Sequence, residues 1–148
     1  MQRIGPFALA VLSGALIGLG AYTFFYARGF SYFSNNPEAC ANCHVMREFR
    51  DGWQRGSHHA YAACNDCHTP HAWASKYVVK ARNGWNHSLR FTLQDFPDPI
   101  RIRPANAGVL EGNCIRCHAE MASEMVGLRC VECHAGVGHD ARPLRAGS

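Results

Sequence analysis

Four times in this chain two thiols stand three positions apart with an imidazole directly behind them: Cys40 and Cys43 with His44, Cys64 and Cys67 with His68, Cys114 and Cys117 with His118, and Cys130 and Cys133 with His134. Two thiols at that spacing form thioethers to the vinyl groups of one haem, and the histidine that follows turns onto the iron. The motifs use all 8 cysteines, so none is left for a disulfide or a catalytic thiol. A pair of four-cysteine zinc sites also uses Cys-x-x-Cys knuckles, but zinc gives no reason for a histidine behind every knuckle. A disulfide framework ignores the histidines equally. The chemistry is that of a c-type cytochrome with four haem irons.

Four irons take up to eight axial ligands, and the 9 histidines comprise the four motif residues plus His58, His59, His71, His87 and His139. Two histidines at every iron are arithmetically possible and would give low-spin electron carriers with no open position. His139 follows His134 too closely for both to hold one iron without strain, so it reaches a neighbouring haem. His58 and His59 shortly precede the second motif, and one of them also serves a different haem. Met46 lies two residues after His44 and offers a thioether, a soft ligand that raises the potential relative to imidazole. It either replaces His44 on the first iron or packs beside the ring, and the spacing leaves both open.

The elements that must position these groups are helical. Residues 6–26 carry no charge, a run of 21, and at about 1.5 Å per residue such a helix crosses a hydrocarbon core of about 30 Å. Arg3 flanks it on one side and Tyr22, Phe24, Phe25 and Tyr26 form an aromatic belt on the other. The run is longer than a signal-peptide core and passes into bulky aromatics with no small-residue cleavage site, which favours an uncleaved, single-pass anchor. Arg28 on the far side blunts the charge rule for orientation. Thioether attachment of haem takes place outside the cytoplasm, and this places the haem domain there. Gly14 and Gly18 make a GxxxG step suited to self-association.

Residues 1–29 are thus expected to be the anchor and residues 30–148 one haem domain, mainly α and irregular, with little or no β. The first two motifs start 24 residues apart, the last two 16, and 50 separate the pairs, a two-plus-two arrangement. Residues 72–91 have a mixed helical pattern, with Trp73, Tyr77 and Lys80 at i, i+4 and i+7. Prolines 97, 99 and 104 then impose a long ordered loop. About 115 residues outside the anchor hold no large apolar core of their own, so the macrocycles must supply much of the buried surface. The formal charge of +4 is no sign of nucleic-acid binding: the propionates of four haems bring the total to about zero, and there is no Lys/Arg run.

The anchor, the sequence Cys-Ala-Asn-Cys-His-Val-Met, Ser57-His58 ahead of Cys-Asn-Asp-Cys-His-Thr-Pro-His, and Cys-Val-Glu-Cys-His-Ala-Gly-Val-Gly-His-Asp together resemble the small subunit of the cytochrome c nitrite reductase complex, within the wider group of tetrahaem membrane quinol dehydrogenases. The resemblance runs through nearly the whole chain. It implies that Met46 ligates haem 1 and His44 does not, leaving that haem effectively five-coordinate beside a quinol. It implies that His68 holds haem 2 with a lysine supplied by a pentahaem catalytic partner. His118 with His139 would hold haem 3, and His134 with His58 haem 4. His59 is the alternative to His58, and His71 and His87 are left for other roles.

The resemblance also implies a lysine and an acidic residue at the quinol. Lys76, Lys80, Asn83 and His87 share one stripe of a helix, with Lys80 favoured over Lys76. No carboxylate lies on that stripe, so His87 or the nearby Asp95 would take the acidic role. The function implied is oxidation of menaquinol and delivery of electrons to a periplasmic nitrite reductase. The same quinol chemistry with a different periplasmic reductase, or an anchored shuttle with no quinol site, are the alternatives.

Overall fold

The computed structural model describes residues 4–123 and 127–139; Arg3 and Asp140, both quoted above, lie outside them. The chain divides into two compact units, Met1–Ser34 and Asn35–Ser148. The described residues form helices, turns and loops with no strand.

In the first unit, α1 (Ile4–Tyr26) contains the apolar run Gly5–Tyr26, with mean hydropathy 1.8 and no part of it covered by the chain. The Thr23 hydroxyl bonds back to the Leu19 carbonyl at 2.8 Å, which satisfies a polar group on an apolar helix. The helix ends at Tyr26, Arg28 lies in the left-handed region (φ 52°), and a 3-10 turn, Gly29–Phe33, folds Phe30 edge-on against Phe24 (5.0 Å) and Phe25 (5.6 Å). This aromatic cluster carries the unit to residue 34, five residues past the boundary expected from composition. A Cβ at Gly14 or Gly18 would meet nothing within 4 Å, so no contact within the chain accounts for either glycine.

The second unit is built from short helices around the four motifs: α2 (Pro37–Cys40), α3 (Arg47–Arg55), α4 (Cys64–His68), α5 (Trp73–Leu93), α6 (Pro104–Cys117), α7 (Ala119–Ala122) and α8 (Cys130–Cys133). Local chemistry starts them where the thiols need them. Asn36 caps α2 by accepting from the Glu38 amide at 3.0 Å with Pro37 in the first turn. Asp66 reaches back to the Ala63 amide (2.9 Å) at the start of α4. α5 matches the expected helix and ends two residues later. The expected loop holds until Pro104, which opens α6 instead of breaking it, because a missing N–H costs nothing in a first turn.

Tertiary packing is polar and thin. Ala107 is the one buried apolar side chain among the described residues, with Thr69 and Asn113 the buried polar ones, while Tyr61 and Trp73 stand largely exposed. What joins the helices is a set of specific bonds. Arg50 of α3 pairs with Glu38 of α2. Asn65 of α4 donates to Asn35 (3.2 Å). Asn106 of α6 donates to Asn83 of α5 (3.1 Å). Glu111 of α6 accepts from the Cys130 amide of α8 (2.8 Å). A domain that buries so little of itself fits the expectation that apolar macrocycles supply the missing core.

Candidate functional site

In motifs two to four both cysteines lie on a helix, one turn apart and hence on one face. His118 and His134 fall at the C-caps of α6 and α8, and His68 is the last residue of α4. The first motif departs from this. Cys40 ends α2, and Cys43 is extended (φ −84°, ψ 123°) ahead of a separate 3-10 turn, His44–Met46. His44 is exposed there, and Met46 at the end of the turn is half-buried.

The motifs form a continuous row. The Cys64 thiol hydrogen-bonds Cys40, which draws Cys40 down to about 7 against its burial and pushes Cys64 up. Burial and then the neighbouring Cys114 raise Cys67. Cys114 in turn is bonded by Cys130. In the haem-loaded chain these sulfurs are thioethers, so the pairings matter as proximities. The two-plus-two arrangement of the sequence is therefore closed up in space: α4 packs on α6, where Asn113 donates to the carbonyls of Cys67 (2.9 Å) and Thr69 (3.0 Å).

Each expected ligand has a defined neighbour. His58 is half-buried with its ring 6.1 Å from that of His118, and its Nδ1 lies 3.4 Å from the Ser57 hydroxyl. His59 is exposed and packs edge-on against Trp53 (4.9 Å), whose indole donates to the Ala62 carbonyl at 2.8 Å. His68 lies nearly parallel to His139, at 5.7 Å. Burial first, then His139, pushes His68 down to about 4, so its imidazole is neutral and carries a lone pair. His139 Nδ1 lies 3.0 Å from the Phe49 carbonyl. A carbonyl only accepts, so Nδ1 carries a proton, and in the neutral imidazole that iron requires Nε2 is the bare nitrogen. His71 is the opposite case. Its Nε2 donates to the Asp66 carbonyl (3.2 Å), which takes up the nitrogen best placed for a metal.

These neighbours differ from the expected pairs. The resemblance joins His118 to His139 and His134 to His58, whereas the rings that meet are His68 with His139 and His58 with His118. The reason lies in α3: the Phe49 carbonyl and the bare backbone of Gly52 hold the His139 segment beside α4. Phe49, Gly52 and Asn113 were not singled out from the sequence. The i, i+3, i+4 spacing of Phe49, Gly52 and Trp53 is the signal that marks the inner face of α3.

At the first motif, Lys80 stands close enough to Cys40 for each charge to shift the other. Burial, and then Lys76, hold its ammonium below the usual lysine range. Lys76 and Lys80 are half-buried on α5. Asn83 is engaged by Asn106, and His87 lies near Arg103, where desolvation first and then that guanidinium depress its imidazole. Asp95 follows the stripe in sequence. It lies beyond the end of α5 in an ion pair with Arg90, which also donates to its backbone carbonyl (3.1 Å).

The donor set fits covalent haem: in three motifs paired thiols on one face of a helix with an imidazole at its end, and at His139 an outer hydrogen bond to Nδ1 that leaves Nε2 for iron. A model of the NapC/NirT cytochrome c family, N-terminal region, matches residues 3–100. The chain belongs to this family. It is 36% identical over 146 residues to the cytochrome c-type protein NrfH of Wolinella succinogenes, covering 87% of this chain and 82% of that one. It is 34% identical over 143 residues to the cytochrome c nitrite reductase subunit NrfH of Nitratidesulfovibrio vulgaris, covering 93% and 88%. Its fold is similar to a chain in the crystal structure of the cytochrome c nitrite reductase NrfHA complex bound to the HQNO inhibitor, with a TM-score of 0.67 and 28% identity over 90% of this chain and 93% of that one. As a member of the NapC/NirT family this chain is a membrane-anchored c-type cytochrome, an electron-transport protein that carries haem c.

Proposed function

We propose that this chain oxidises menaquinol at the outer face of the cytoplasmic membrane and passes the electrons through four c-type haems to a periplasmic, pentahaem cytochrome c nitrite reductase. The observation that carries the reading is Lys80, half-buried beside the first haem motif with its charged form disfavoured. The similarity to NrfH proteins over most of the chain supports the choice of partner.

Menaquinol releases two electrons and two protons as it becomes menaquinone. Haem c, when bound, supplies one-electron acceptors. Lys80 in its neutral form accepts a hydrogen bond from a quinol hydroxyl and takes its proton, and Lys76 keeps that neutral form accessible by repelling a second charge. His87, two turns further along α5, takes the place of the acidic residue. Met46 at the end of its own 3-10 turn would ligate the first iron, and the exposed His44 would not. His58, His68, His118, His134 and His139 would complete the ligand set, with a lysine of the reductase completing the haem held by His68. Gly14 and Gly18 present a small face to a second anchor helix.

The test is reconstitution in liposomes containing reduced menaquinone, with haem reduction followed at the α-band and nitrite consumption followed after the reductase is added. Quinol-dependent haem reduction and co-purification of a pentahaem reductase are expected. Full reduction by a soluble cytochrome but none by menaquinol would make the chain a shuttle. Quinol-dependent reduction with a different reductase co-purifying would change the partner and leave the chemistry.

A further inference from the structure

Three contacts converge on His139 from one turn of α3, 90 residues away in the chain. The Phe49 carbonyl accepts from Nδ1 at 3.0 Å. The Phe49 ring meets the imidazole edge-on at 5.4 Å, with planes 89° apart. Gly52, one of the few buried residues of the domain, lies directly under the His139 backbone. A Cβ on Gly52 would stand 2.2 Å from the His139 carbonyl oxygen, 2.7 Å from its carbonyl carbon and 3.2 Å from its Cα. All three are backbone atoms, so no change of rotamer relieves the clash. Gly52 sits inside a helix where alanine is the better helix former, so nothing in the local conformation calls for glycine. The close approach does.

We propose that Phe49 and Gly52 form a seat that presents His139 to iron: Gly52 lets the His139 backbone lie against α3, and the Phe49 carbonyl fixes the tautomer with Nε2 bare. Both are positioning residues and act through His139. The inference rests on the reading of His139 as an axial ligand. A helix carbonyl has a second lone pair, so Phe49 holds the imidazole without giving up its place in α3. An outer hydrogen bond of this kind both orients a ligating histidine and makes it more basic.

The test compares Gly52→Ala with His139→Ala in the full haem-loaded chain, using pyridine haemochrome for haem content and electron paramagnetic resonance for spin state. His139→Ala is expected to keep every covalent haem and convert one low-spin signal to high-spin, with added imidazole restoring it. Gly52→Ala is expected to convert the same signal, wholly or as a mixture, with the same rescue and unchanged haem content. If His139→Ala leaves the spectrum intact, the ligand reading fails and the seat with it. If His139→Ala removes the signal and Gly52→Ala does not change its intensity or g-values, the seat alone is overturned. Loss of haem, or of several low-spin signals in Gly52→Ala, would make Gly52 a general packing residue and overturn it equally.

Discussion

Asn113 and Thr69, the two buried polar residues among those described, are bonded to each other: the Asn113 amide donates to the Thr69 carbonyl at 3.0 Å and to the Cys67 carbonyl at 2.9 Å. One side chain on α6 thereby holds the backbone on both sides of His68. It sits one residue before Cys114, so it also sets the distance between the second and third motifs.

Replacing Asn113 by leucine leaves two enclosed carbonyls without a donor, a cost of about 2 to 4 kcal/mol. Thermal unfolding of the detergent-purified chain, followed in the far ultraviolet, should show a clear drop in Tm. Asn113→Asp should be worse near neutral pH, where a carboxylate faces two carbonyls, and should recover partly in acid as the carboxyl regains one donor. A Tm unchanged in both variants would mean that the haems alone hold the second and third motifs together.

Met46 and His44 occupy one 3-10 turn after a motif whose second cysteine has left the helix. Met46→Ala is expected to abolish or shift one high-spin haem signal, with His44→Ala leaving that spectrum nearly intact. The reverse result would return the iron to His44.

Lys80 gives a pH dependence whose sign is fixed by its surroundings. Burial and Lys76 lower its pKa, so the neutral amine that accepts the quinol proton becomes populated as pH rises through that depressed value. Menaquinol oxidation should therefore climb with pH in a limb that Lys80→Gln removes, while dithionite still reduces every haem. Lys76→Gln takes away one lowering influence and should move the limb to higher pH. A limb that survives in Lys80→Gln would assign the proton to another group, with His87 the next to vary.

Much of this was legible because it is local. Covalent haem attachment writes itself as Cys-x-x-Cys-His, the anchor as an uncharged run, and α5 as a helical pattern, each within a short window. Lys80 was preferred to Lys76 under the resemblance, and its charge and that of Cys40 are close enough to shift each other. Asp95 was named from proximity in sequence, which says nothing of the Arg90 guanidinium that pairs with it. The helix α3 was missed because five of its nine residues are charged, and its inner face matters only through contacts with residue 139. The same long range explains why two-plus-two spacing gave no hint of the Asn113 link that closes the row.

In the proposed complex the position opposite His68 would decide how the chain meets the reductase. His71 Nε2 bonds the Asp66 carbonyl and His87 sits on α5 near Arg103, and both are proposed to stay off that iron. Two candidates remain: a lysine of the reductase, as proposed, and His139, whose ring lies 5.7 Å away. They predict different behaviour before and after docking. With an external lysine, one haem of the isolated chain has an exchangeable sixth position, binds carbon monoxide when reduced, and loses that reactivity when the reductase is added. His71→Ala and His87→Ala should leave this pattern unchanged. If the haem held by His68 ignores carbon monoxide in the isolated chain and begins to bind it in His139→Ala, His139 fills the position from within. The reductase would then dock without contributing a ligand.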